Sequence, residues 1–371
     1  MSTYCPLPFK HIFVDPTGIK PCCSYTRTFP GSISEWLASS ELQQLQSDMI
    51  YNRYNDGCID CLKNDAKDKV STRQTAFNEY GYVVYDQTDI DYVDLRSSNV
   101  CNFKCRSCEP RYSSRIQAEV RRNPALEKFY NLDSAIPQDD NFNWILDNLK
   151  RIKRLMFTGG EPTQIPKVKE ILLEVQRLNL DINIQIISNA SFTDKFWIDI
   201  TKVMPTINWV LSIDACGKEA EIIRDGTNWD IVATNVEELF SVASSVNIGS
   251  VVTNLNLLHL KELFIFTNYM KQHHSRKNNG GSHMISICNF PKHFSPYNWP
   301  ESSKPYVLKS LYSASTEARQ ESQQHIIDTL IRNIQASKFD LTHWGLFLKH
   351  NQKLDDIRSQ NFLEQLITIP I

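Results

Sequence analysis

The sequence has no strong excess of charge of either sign and no long apolar run. Lys and Arg number 40 and Asp and Glu number 42, which gives a formal net charge of −2 at pH 7. That balance leaves no global excess of positive charge to hold a nucleic-acid backbone, so a nucleic-acid partner is not expected. No run of about 18 apolar residues is present, and residues 1–7 lack the basic-then-apolar pattern of a secretory signal. We therefore expect a cytoplasmic protein without a membrane partner.

Cysteine is too scarce for a disulfide-built miniprotein, at 10 of 371 residues. The cysteines are clustered, however. Eight of the ten lie among the first 108 residues: Cys5, Cys22, Cys23, Cys58, Cys61, Cys101, Cys105 and Cys108. In a reducing cytosol, clustered thiols more often bind metal or carry out redox chemistry. The spacing within each group therefore indicates the chemistry.

From about residue 91 the chain alternates apolar β-rich runs with amphipathic stretches, and 41% of all residues are hydrophobic. Strands are predicted at 92–95, 154–158, 182–187, 209–213, 248–253 and 284–287. Helices are predicted at 112–122, 141–150, 166–178, 194–203, 228–241 and 258–272. Each strand thus returns to the sheet through a crossover, which is typical of βα units around a parallel sheet. Six units predict an α/β fold with a partial, open (βα)6 TIM-like barrel over residues 90–292.

Two further regions flank the predicted barrel. Residues 1–85 are predicted as short strands and turns with one helical pattern at 34–51, forming a small cysteine-rich module. Helical patterns at 317–336 and 352–366, separated by an apolar segment with Trp344 and Phe347, predict a helical carboxy-terminal region over 293–371. The loop at 275–282 is predicted to be a turn or lid before the last strand.

Cys101, Cys105 and Cys108 directly follow the first predicted barrel strand. Their C-x3-C-x2-C spacing lets one loop place three thiolates on one face of a [4Fe–4S] cluster, which leaves one iron open to an external chelating ligand. Structural zinc is the alternative, but such sites are normally closed and four-coordinate, and no fourth Cys or His is nearby in sequence. The spacing favours an open iron–sulfur cluster.

At this motif the chain resembles the radical S-adenosylmethionine (SAM) superfamily, whose signature is C-x3-C-x2-C on the loop after the first barrel strand. A second motif, Gly159-Gly160-Glu161-Pro162, ends the second predicted strand and is similar to the family's GGEP segment. The resemblance implies that the glycines let the backbone approach the methionyl part of SAM and that the glutamate lies near its amino group. Taken alone, the motif could be an ordinary strand-ending turn.

Looser matches follow in chain order. Ser188 ends the third predicted strand, Ser212 ends the fourth, and Arg224 lies in a segment similar to the family's Arg-x-Gly. By resemblance, these side chains are candidates for the ribose and carboxylate of SAM, at the rim where parallel sheets place ligands. Capping and surface roles are the alternatives. Ser107 departs from the family, which often has an aromatic residue before the third cysteine; we expect this to affect packing near the adenine but not cluster ligation.

Cys5, Cys22, Cys23, Cys58 and Cys61 form a second thiol set. Four thiolates suffice for a closed iron–sulfur cluster, but they suit a tetrahedral zinc ion equally well. The set resembles the SPASM or shorter twitch modules that carry an auxiliary [4Fe–4S] cluster in radical SAM peptide-modifying enzymes, although those modules usually follow the barrel. The resemblance implies ligation by either Cys22 or Cys23 with the other three, since adjacent cysteines rarely reach one cluster together.

The resemblance as a whole implies a radical SAM enzyme with a flavodoxin or ferredoxin electron donor and, most simply, a peptide or protein substrate. A sugar or nucleoside substrate is the alternative. From another class, a non-catalytic iron–sulfur or zinc scaffold or redox sensor is disfavoured by the intact cysteine triad and GGEP segment. Cys216 and Cys288 could face the barrel mouth and donate a hydrogen atom, but buried inert thiols are the simpler expectation.

Overall fold

The computed structural model of the protein describes residues 3–367 except 68, 83–88, 97, 131, 133–138 and 275–280. Most of the loop predicted at 275–282 therefore lies outside the described residues. The strands are β1 (His11–Asp15), β2 (Gly18–Lys20), β3 (Tyr92–Leu95), β4 (Lys104–Cys105), β5 (Arg154–Phe157), β6 (Asn183–Ser188), β7 (Ile207–Ser212), β8 (Arg224–Asp225), β9 (Ser245–Val252) and β10 (His283–Ile287).

The α-helices are α1 (Leu7–Lys10), α2 (Ile33–Ala38), α3 (Ser40–Ile50), α4 (Ile59–Asp65), α5 (Thr72–Tyr80), α6 (Ser114–Arg122), α7 (Asp139–Asn148), α8 (Pro166–Arg177), α9 (Phe196–Val203), α10 (Gly217–Ile223), α11 (Trp229–Val242), α12 (Leu260–His274), α13 (Lys304–Ser315), α14 (Glu321–Ala336), α15 (Leu341–Arg358) and α16 (Phe362–Ile367). Short 3-10 helices lie at Asp56–Cys58, Pro110–Tyr112, Pro124–Phe129, Pro162–Gln164, Leu257–His259 and Lys292–Phe294. Within the described ranges, no helix combines the length and the apolar character needed to span a bilayer.

All six strands predicted for the barrel are present, as β3, β5, β6, β7, β9 and β10. Parallel pairing joins β3 to β5, β5 to β6, β7 to β9 and β9 to β10. Burial along β6 alternates with period two, which is the pattern that identifies a strand with two different faces. The prediction of an α/β fold with a parallel sheet is confirmed.

The chain forms two compact units, of which the first contains Met1–Val100 and Asp133–Ile186. Within it, β1 pairs antiparallel with β2 and parallel with β3, with His11 opposite Tyr92. A strand from the segment predicted as a cysteine-rich module thus lies in the same sheet as the first predicted barrel strand. All five residues of β1 are buried, so no alternation in the sequence indicated its place in the sheet. The three predicted domains, 1–85, 90–292 and 293–371, stay a prediction.

The amino-terminal segment is more helical than predicted. The single helical pattern at 34–51 is two helices, because Ser39 ends α2 and its side chain accepts the Leu42 N–H to begin α3. Residues 59–65 and 72–80, predicted as turns, form α4 and α5. A capping box between Ser71 and Gln74 begins α5. The prediction was wrong for these stretches because α5 and the 3-10 turn that leads into α4 begin at side-chain caps, of Ser71 and Asn55, rather than at a long apolar period.

The second unit contains Cys101–Leu132 and Ile187–Ile371, and in its sheet β9 lies between β7 and β10. The rings of Trp197 and Trp209 meet edge to face with centroids 6.3 Å apart. The buried Trp209 indole donates to the Thr201 hydroxyl at 3.1 Å, which satisfies its polar atom. Trp209 of β7 is therefore a core residue that packs against α9.

The carboxy-terminal region is helical, as predicted, but its helices differ from the prediction. Helix α13 was not predicted, and the segment around Trp344 and Phe347, predicted as a break, lies inside α15. Asp340 begins α15 with its side chain, and both aromatic residues are buried. The predicted break was wrong because a good cap and a buried apolar face outweigh the low helix propensity of Gly345 and the aromatic residues.

Candidate active site

The loop that carries Cys101, Cys105 and Cys108 begins the second unit. Its middle is held by an antiparallel ladder between β4 and β8, in which Cys105 lies opposite Arg224. Gly226 follows β8 with a φ of 105°, and a Cβ there would come within 2.8 Å of a carbonyl oxygen of the loop. The ladder therefore requires glycine at this position. This gives a structural reason for the glycine of the Arg-x-Gly segment.

Hydrogen bonds within the loop fix the remaining backbone. The Phe103 N–H donates to Cys101 Sγ at 3.4 Å, and the Cys108 N–H donates to the Cys105 carbonyl at 3.1 Å. Ser113, the N-cap of α6, donates from Oγ to the Phe103 carbonyl at 2.7 Å. The three thiols are thus presented by a backbone that the loop and the start of α6 define together.

Burial controls the acidity of these thiols. Burial raises the pKa of Cys105, and the nearby Arg224 guanidinium opposes that effect. Burial also raises the pKa of Cys108, and repulsion from Cys105 and Cys101 adds to the increase. A metal ligand must be a thiolate, so a buried group of mutually repelling thiols needs a cationic partner. The donor set fits the iron–sulfur cluster predicted from the spacing.

Arg224 combines an ion pair with a free donor. One of its terminal nitrogens lies 2.7 Å from Asp214 Oδ2. Its Nε–H is buried and has no acceptor within the part of the chain that the structure describes. Buried donors are nearly always satisfied, so this N–H is available to an acceptor from outside the described residues. The carboxylate of SAM would supply such an acceptor.

Ser212 and Arg224 line one small cavity, together with Asn189. The Asn189 side chain donates to Asn102 Oδ1 of the cysteine loop at 2.9 Å. Asn102 in turn donates to the Ser191 hydroxyl at 2.7 Å. The structure therefore brings two of the predicted SAM contacts to the cysteine loop.

Ser188, the third predicted SAM contact, is in a different situation. It is buried, and its hydroxyl accepts the Ala190 N–H at 3.0 Å. The neighbouring Asn189, which the sequence analysis did not select, lines the cavity instead. The sequence did contain a signal for Asn189, because an asparagine directly after a strand can hydrogen-bond both the next loop and a ligand.

Gly159 and Gly160 lie in the first unit, against the backbone of residues 98–100. The Gly160 N–H donates to the Ser98 carbonyl at 2.8 Å, and a Cβ on Gly160 would lie 2.2 Å from the Val100 carbonyl oxygen. Gly159 has a φ of 106°, which favours glycine. Because Cys101 follows Val100 in the chain, both glycines define the backbone that enters the cysteine loop.

Glu161 and Pro162 begin a short 3-10 helix in the same unit. Glu161 is buried, and its Oε1 accepts the Thr163 hydroxyl at 2.7 Å and the Thr163 N–H at 3.1 Å. Pro162 occupies the first helical position, where the missing N–H costs no hydrogen bond. One carboxylate oxygen therefore caps the helix. The contact between Glu161 and the amino group of SAM stays a prediction.

The sheet of the first unit has a polar face that was not predicted from the sequence. Parallel sheets are normally covered by apolar side chains on both faces. By strand alternation and register, one face here carries His11, Tyr92, Asp94, Arg96 and Arg154. The Arg154 guanidinium lies over the Tyr92 ring, 4.3 Å from its centroid. The available signal was a charged residue in the middle of the strand Tyr-Val-Asp-Leu.

The polar groups on this face are incompletely satisfied. His11 Nδ1 lies 2.9 Å from the Pro21 carbonyl, which assigns the proton to Nδ1, while the buried Nε2 has no partner among the described residues. Burial lowers the pKa of His11 to about 4. Asp94 Oδ1 and Arg96 Nε are 3.7 Å apart, too far for a hydrogen bond. Burial raises the pKa of Asp94 to about 6, although Arg96 opposes the change. This group of incompletely satisfied polar side chains fits a bound polar ligand.

The amino-terminal thiols also gather in the first unit. Cys5, Cys22 and Cys58 belong to one apolar cluster. Burial raises the pKa of Cys5 to about 12 and of Cys58 to about 11, and repulsion from Cys61 contributes to both. Across the described ranges, no three His, Cys, Asp or Glu side chains converge on a position for one metal ion. The thiols are neighbours without the tight tetrahedron of a zinc site.

Cys22 and Cys23 differ in their surroundings. Cys22 packs against the apolar cluster that contains Cys5 and Cys58. Cys23 is exposed, and its sulfur lies 3.9 Å from the Ser24 hydroxyl oxygen. The choice between Cys22 and Cys23 as a ligand stays a prediction.

Cys216 and Cys288 each contact a backbone carbonyl. Cys216 Sγ lies 3.9 Å from the Glu262 oxygen, and burial raises the pKa of Cys216 to about 12. Cys288 is buried, with Sγ 3.4 Å from the Phe290 oxygen. Both thiols stay protonated at neutral pH, which agrees with the expectation of inert residues and leaves hydrogen-atom donation a prediction.

Residues 95–264 match the radical SAM superfamily. Among solved structures, histidine-tagged anSMEcpe with bound AdoMet is similar over 61% of this chain and 57% of its own, with 20% identity and a TM-score of 0.43. SuiB from Streptococcus suis bound to S-adenosylmethionine is similar over 78% and 60%, with 15% identity and a TM-score of 0.40. TYW1 with a lysine-pyruvate adduct bound is similar over 75% and 89%, with 13% identity and a TM-score of 0.38. The chain spans less than two thirds of the length of anSMEcpe and SuiB. No curated protein matches the chain.

Proposed function

We propose that the protein is a radical SAM enzyme and that Cys101, Cys105 and Cys108 hold the [4Fe–4S] cluster at which SAM is cleaved, because residues 95–264 match the radical SAM superfamily. When bound, such a cluster passes an electron to SAM, giving methionine and a 5′-deoxyadenosyl radical that removes a hydrogen atom from the substrate. The observation that carries the proposal is that Cys105, the middle one of three thiols on one loop, lies opposite Arg224, whose Nε–H has no acceptor among the described residues.

Arg224 and Ser212 support binding of SAM next to the cysteine loop. The Arg224 guanidinium is held by Asp214, so its free Nε–H is pre-oriented toward an anionic group. Ser212 and Asn189 line the adjoining cavity and can bond hydroxyl or carbonyl groups. Gly159 and Gly160 support the same site indirectly, because they define the backbone that enters the loop.

A peptide or protein is the proposed substrate. The polar face of the first unit presents acceptors at His11 Nε2 and Asp94 Oδ1 and a donor at Arg96 Nε. A primary amide, such as the side chain of an Asn or Gln residue in a peptide, offers the complementary two N–H donors and one carbonyl acceptor. A sugar or nucleoside could also engage these groups through hydroxyls, so small polar substrates remain the alternative.

The auxiliary thiols support a second [4Fe–4S] cluster with Cys5, Cys22, Cys58 and Cys61 as ligands. Cys5, Cys22 and Cys58 pack in one apolar cluster, and Cys61 lies in α4, which begins directly after Cys58. The same four thiols would also suit a tetrahedral zinc ion, which is the alternative occupant of this site. A flavodoxin or ferredoxin is the proposed electron donor.

The test is anaerobic reconstitution with iron and sulfide, followed by iron counting and a dithionite-driven assay for 5′-deoxyadenosine. About eight irons per chain and turnover are expected, and Cys105→Ala should abolish turnover and leave about four irons. A fully loaded protein that forms no 5′-deoxyadenosine would instead support the scaffold or sensor hypothesis.

A matched pair of variants tests the auxiliary site. Cys22→Ser should lower the iron content from about eight to about four, whereas Cys23→Ser should leave it unchanged. Zinc with about four irons in the wild type would identify a zinc module instead. Equal iron loss in both variants would contradict the assignment of Cys22.

A further inference from the structure

The cysteine loop contains a fully buried arginine whose partners lie at the far end of the chain. Arg106, between Cys105 and Cys108, has 0% of its surface exposed. Its guanidinium is ion-paired with Asp355 and donates to Asn351 Oδ1 at 3.0 Å and to Gln360 Oε1 at 2.7 Å. A buried guanidinium is tolerated only when such partners are complete.

The residue before Cys105 enters a second ionic network. Lys104 Nζ lies 3.0 Å from Glu119 and 3.3 Å from Asp225. Arg358 bonds the same two carboxylates, at 2.6 Å to Glu119 and 3.4 Å to Asp225. The Arg358 side chain is 1% exposed, so these charges interact with little screening by solvent.

Both networks depend on α15. Asp355 and Arg358 belong to its last turn. Asp355 is ion-paired with Arg106, which follows Cys105. Arg358 is ion-paired with Glu119, the carboxylate that also binds Lys104 on the other side of Cys105. Asp355 also accepts the Leu363 N–H at 3.0 Å, which connects α15 to α16. Apolar side chains could cover the loop at lower desolvation cost, so the buried charges indicate a role beyond packing.

We propose that α15 clamps the cysteine loop, with Arg106 as the positioning residue, and that Asp355 and Arg358 set the reduction potential of the group bound there. This inference rests on the proposed function, since it requires a cluster on the three cysteines. It gives the carboxy-terminal region a role in the SAM-cleaving site itself.

The sign of each charge determines the expected change in potential. Reduction adds a negative charge at the cysteines, so a nearby cation favours the reduced form and a nearby anion opposes it. Replacing Asp355 by Asn leaves Arg106 uncompensated and should make the potential less negative. Replacing Arg358 by Gln leaves Glu119 and Asp225 less compensated and should make it more negative.

The experiment is a redox titration of the reconstituted full-length enzyme, followed by the electron paramagnetic resonance signal of the reduced cluster. Asp355→Asn and Arg358→Gln should shift the midpoint potential in opposite directions from wild type. Asp356→Asn is the matched control, because this exposed residue on the same turn bonds only Gln352 among described residues; its potential should equal that of wild type. A purely structural role would give shifts of one sign or none, and that result would overturn the proposal.

Two further variants keep the test decisive. If Arg358→Gln does not fold, Lys104→Gln removes a cation from the same network at a side chain that is 29% exposed, and it should shift the potential in the same negative direction. Arg106→Met should lose iron to a chelator roughly tenfold faster than wild type, which corresponds to one lost charge-assisted hydrogen bond. Arg106→Lys should lose iron at an intermediate rate. Unchanged iron release in Arg106→Met would refute the clamp.

Failure of the proposed function gives a different result. Suppose that the wild type has one reducible cluster, that Cys5→Ser loses it and that Cys105→Ala keeps it. The cysteine loop would then hold no cluster, and this result would refute the proposed function. A cluster on the loop with equal potentials in every variant refutes only the role of α15.

Discussion

Cys105 and Arg224 lie opposite each other in a two-residue antiparallel ladder, and Arg224 is at the same time ion-paired with Asp214 at 2.7 Å. The ladder places the Arg224 guanidinium beside Cys105, the central thiol of the motif, and the ion pair with Asp214 holds the guanidinium in one orientation. A local motif thus becomes a site through a residue more than a hundred positions further along the chain.

Arg224→Lys tests this relationship. Lysine keeps the charge but loses the planar fork, so it cannot present separate, fixed N–H donors to Asp214 and to an anionic ligand. We expect formation of 5′-deoxyadenosine to fall roughly tenfold to a hundredfold, the range for a lost charged hydrogen bond, while the iron content stays at the wild-type value. Arg115→Lys on the exposed side of α6 is the control and should retain full activity. Equal activity of both variants would contradict a role for Arg224 in SAM binding.

Gly160→Ala tests the close backbone approach before the cysteine loop. The added Cβ would lie 2.2 Å from the Val100 carbonyl oxygen, so the backbone must move. We expect a loss of roughly 1–3 kcal/mol in the free energy of unfolding and reduced SAM cleavage. Gly345→Ala in α15 is the matched control, since no atom lies within 4 Å of its added Cβ; it should be neutral or stabilising by about 1 kcal/mol. Denaturant titration distinguishes the two results.

Asp94→Asn is expected to lower substrate-dependent turnover and to raise the free energy of unfolding. The pKa of Asp94 is raised to about 6 by burial, so the folded state binds a proton more tightly than the unfolded state and loses stability as pH rises from about 4 to 6. At pH 7.5 the uncharged Asn should therefore stabilise the fold, by roughly 1–3 kcal/mol. Substrate-dependent turnover should fall if the polar face binds substrate, while dithionite-driven cleavage of SAM without substrate should continue. Destabilisation at pH 7.5 would show that the carboxylate is well paired.

The buried histidines predict acid sensitivity. Burial lowers the pKa of His283 and His350 to about 3 and of His11 and His293 to about 4, although the unfolded value is 6.5. Below pH 6.5 the unfolded chain takes up protons that the folded protein does not, so stability decreases as pH falls from about 6.5 toward 4.

His283 provides the test of this pH dependence, because its Nε2 lies 2.8 Å from the Ser250 hydroxyl and it lies away from the proposed ligands. His283→Gln should reduce the pH slope of the unfolding free energy by about 1 kcal/mol per pH unit between pH 6 and 4. His325→Gln, on the exposed side of α14, should leave the slope unchanged. An unchanged slope in both variants would show that His283 is not the titrating group.

Much of the fold was predictable because the barrel strands are apolar, short and separated by amphipathic helices. All six appear where the pattern placed them. The errors fall where local caps or tertiary burial outweigh periodicity: Ser39 divides one predicted helix, and Trp344 and Phe347 lie inside a helix rather than between two.

The sequence by itself determined the thiol chemistry of this protein. The spacing of Cys101, Cys105 and Cys108 is set by covalent connectivity, so one loop carries three thiols whatever the rest of the chain does. The same holds for the turn at Gly159 and Gly160, whose conformation only glycine adopts easily.

Only the tertiary structure decided which distant groups serve those thiols. Arg106 and Asp355 are separated by 249 residues, and His11 is opposite Tyr92 only because β1 joins β3. No spacing along the chain encodes such pairs. Such pairs form when the strands and helices pack, because a buried charge is stable only beside an opposite charge. The register of the strands sets which residues lie opposite each other.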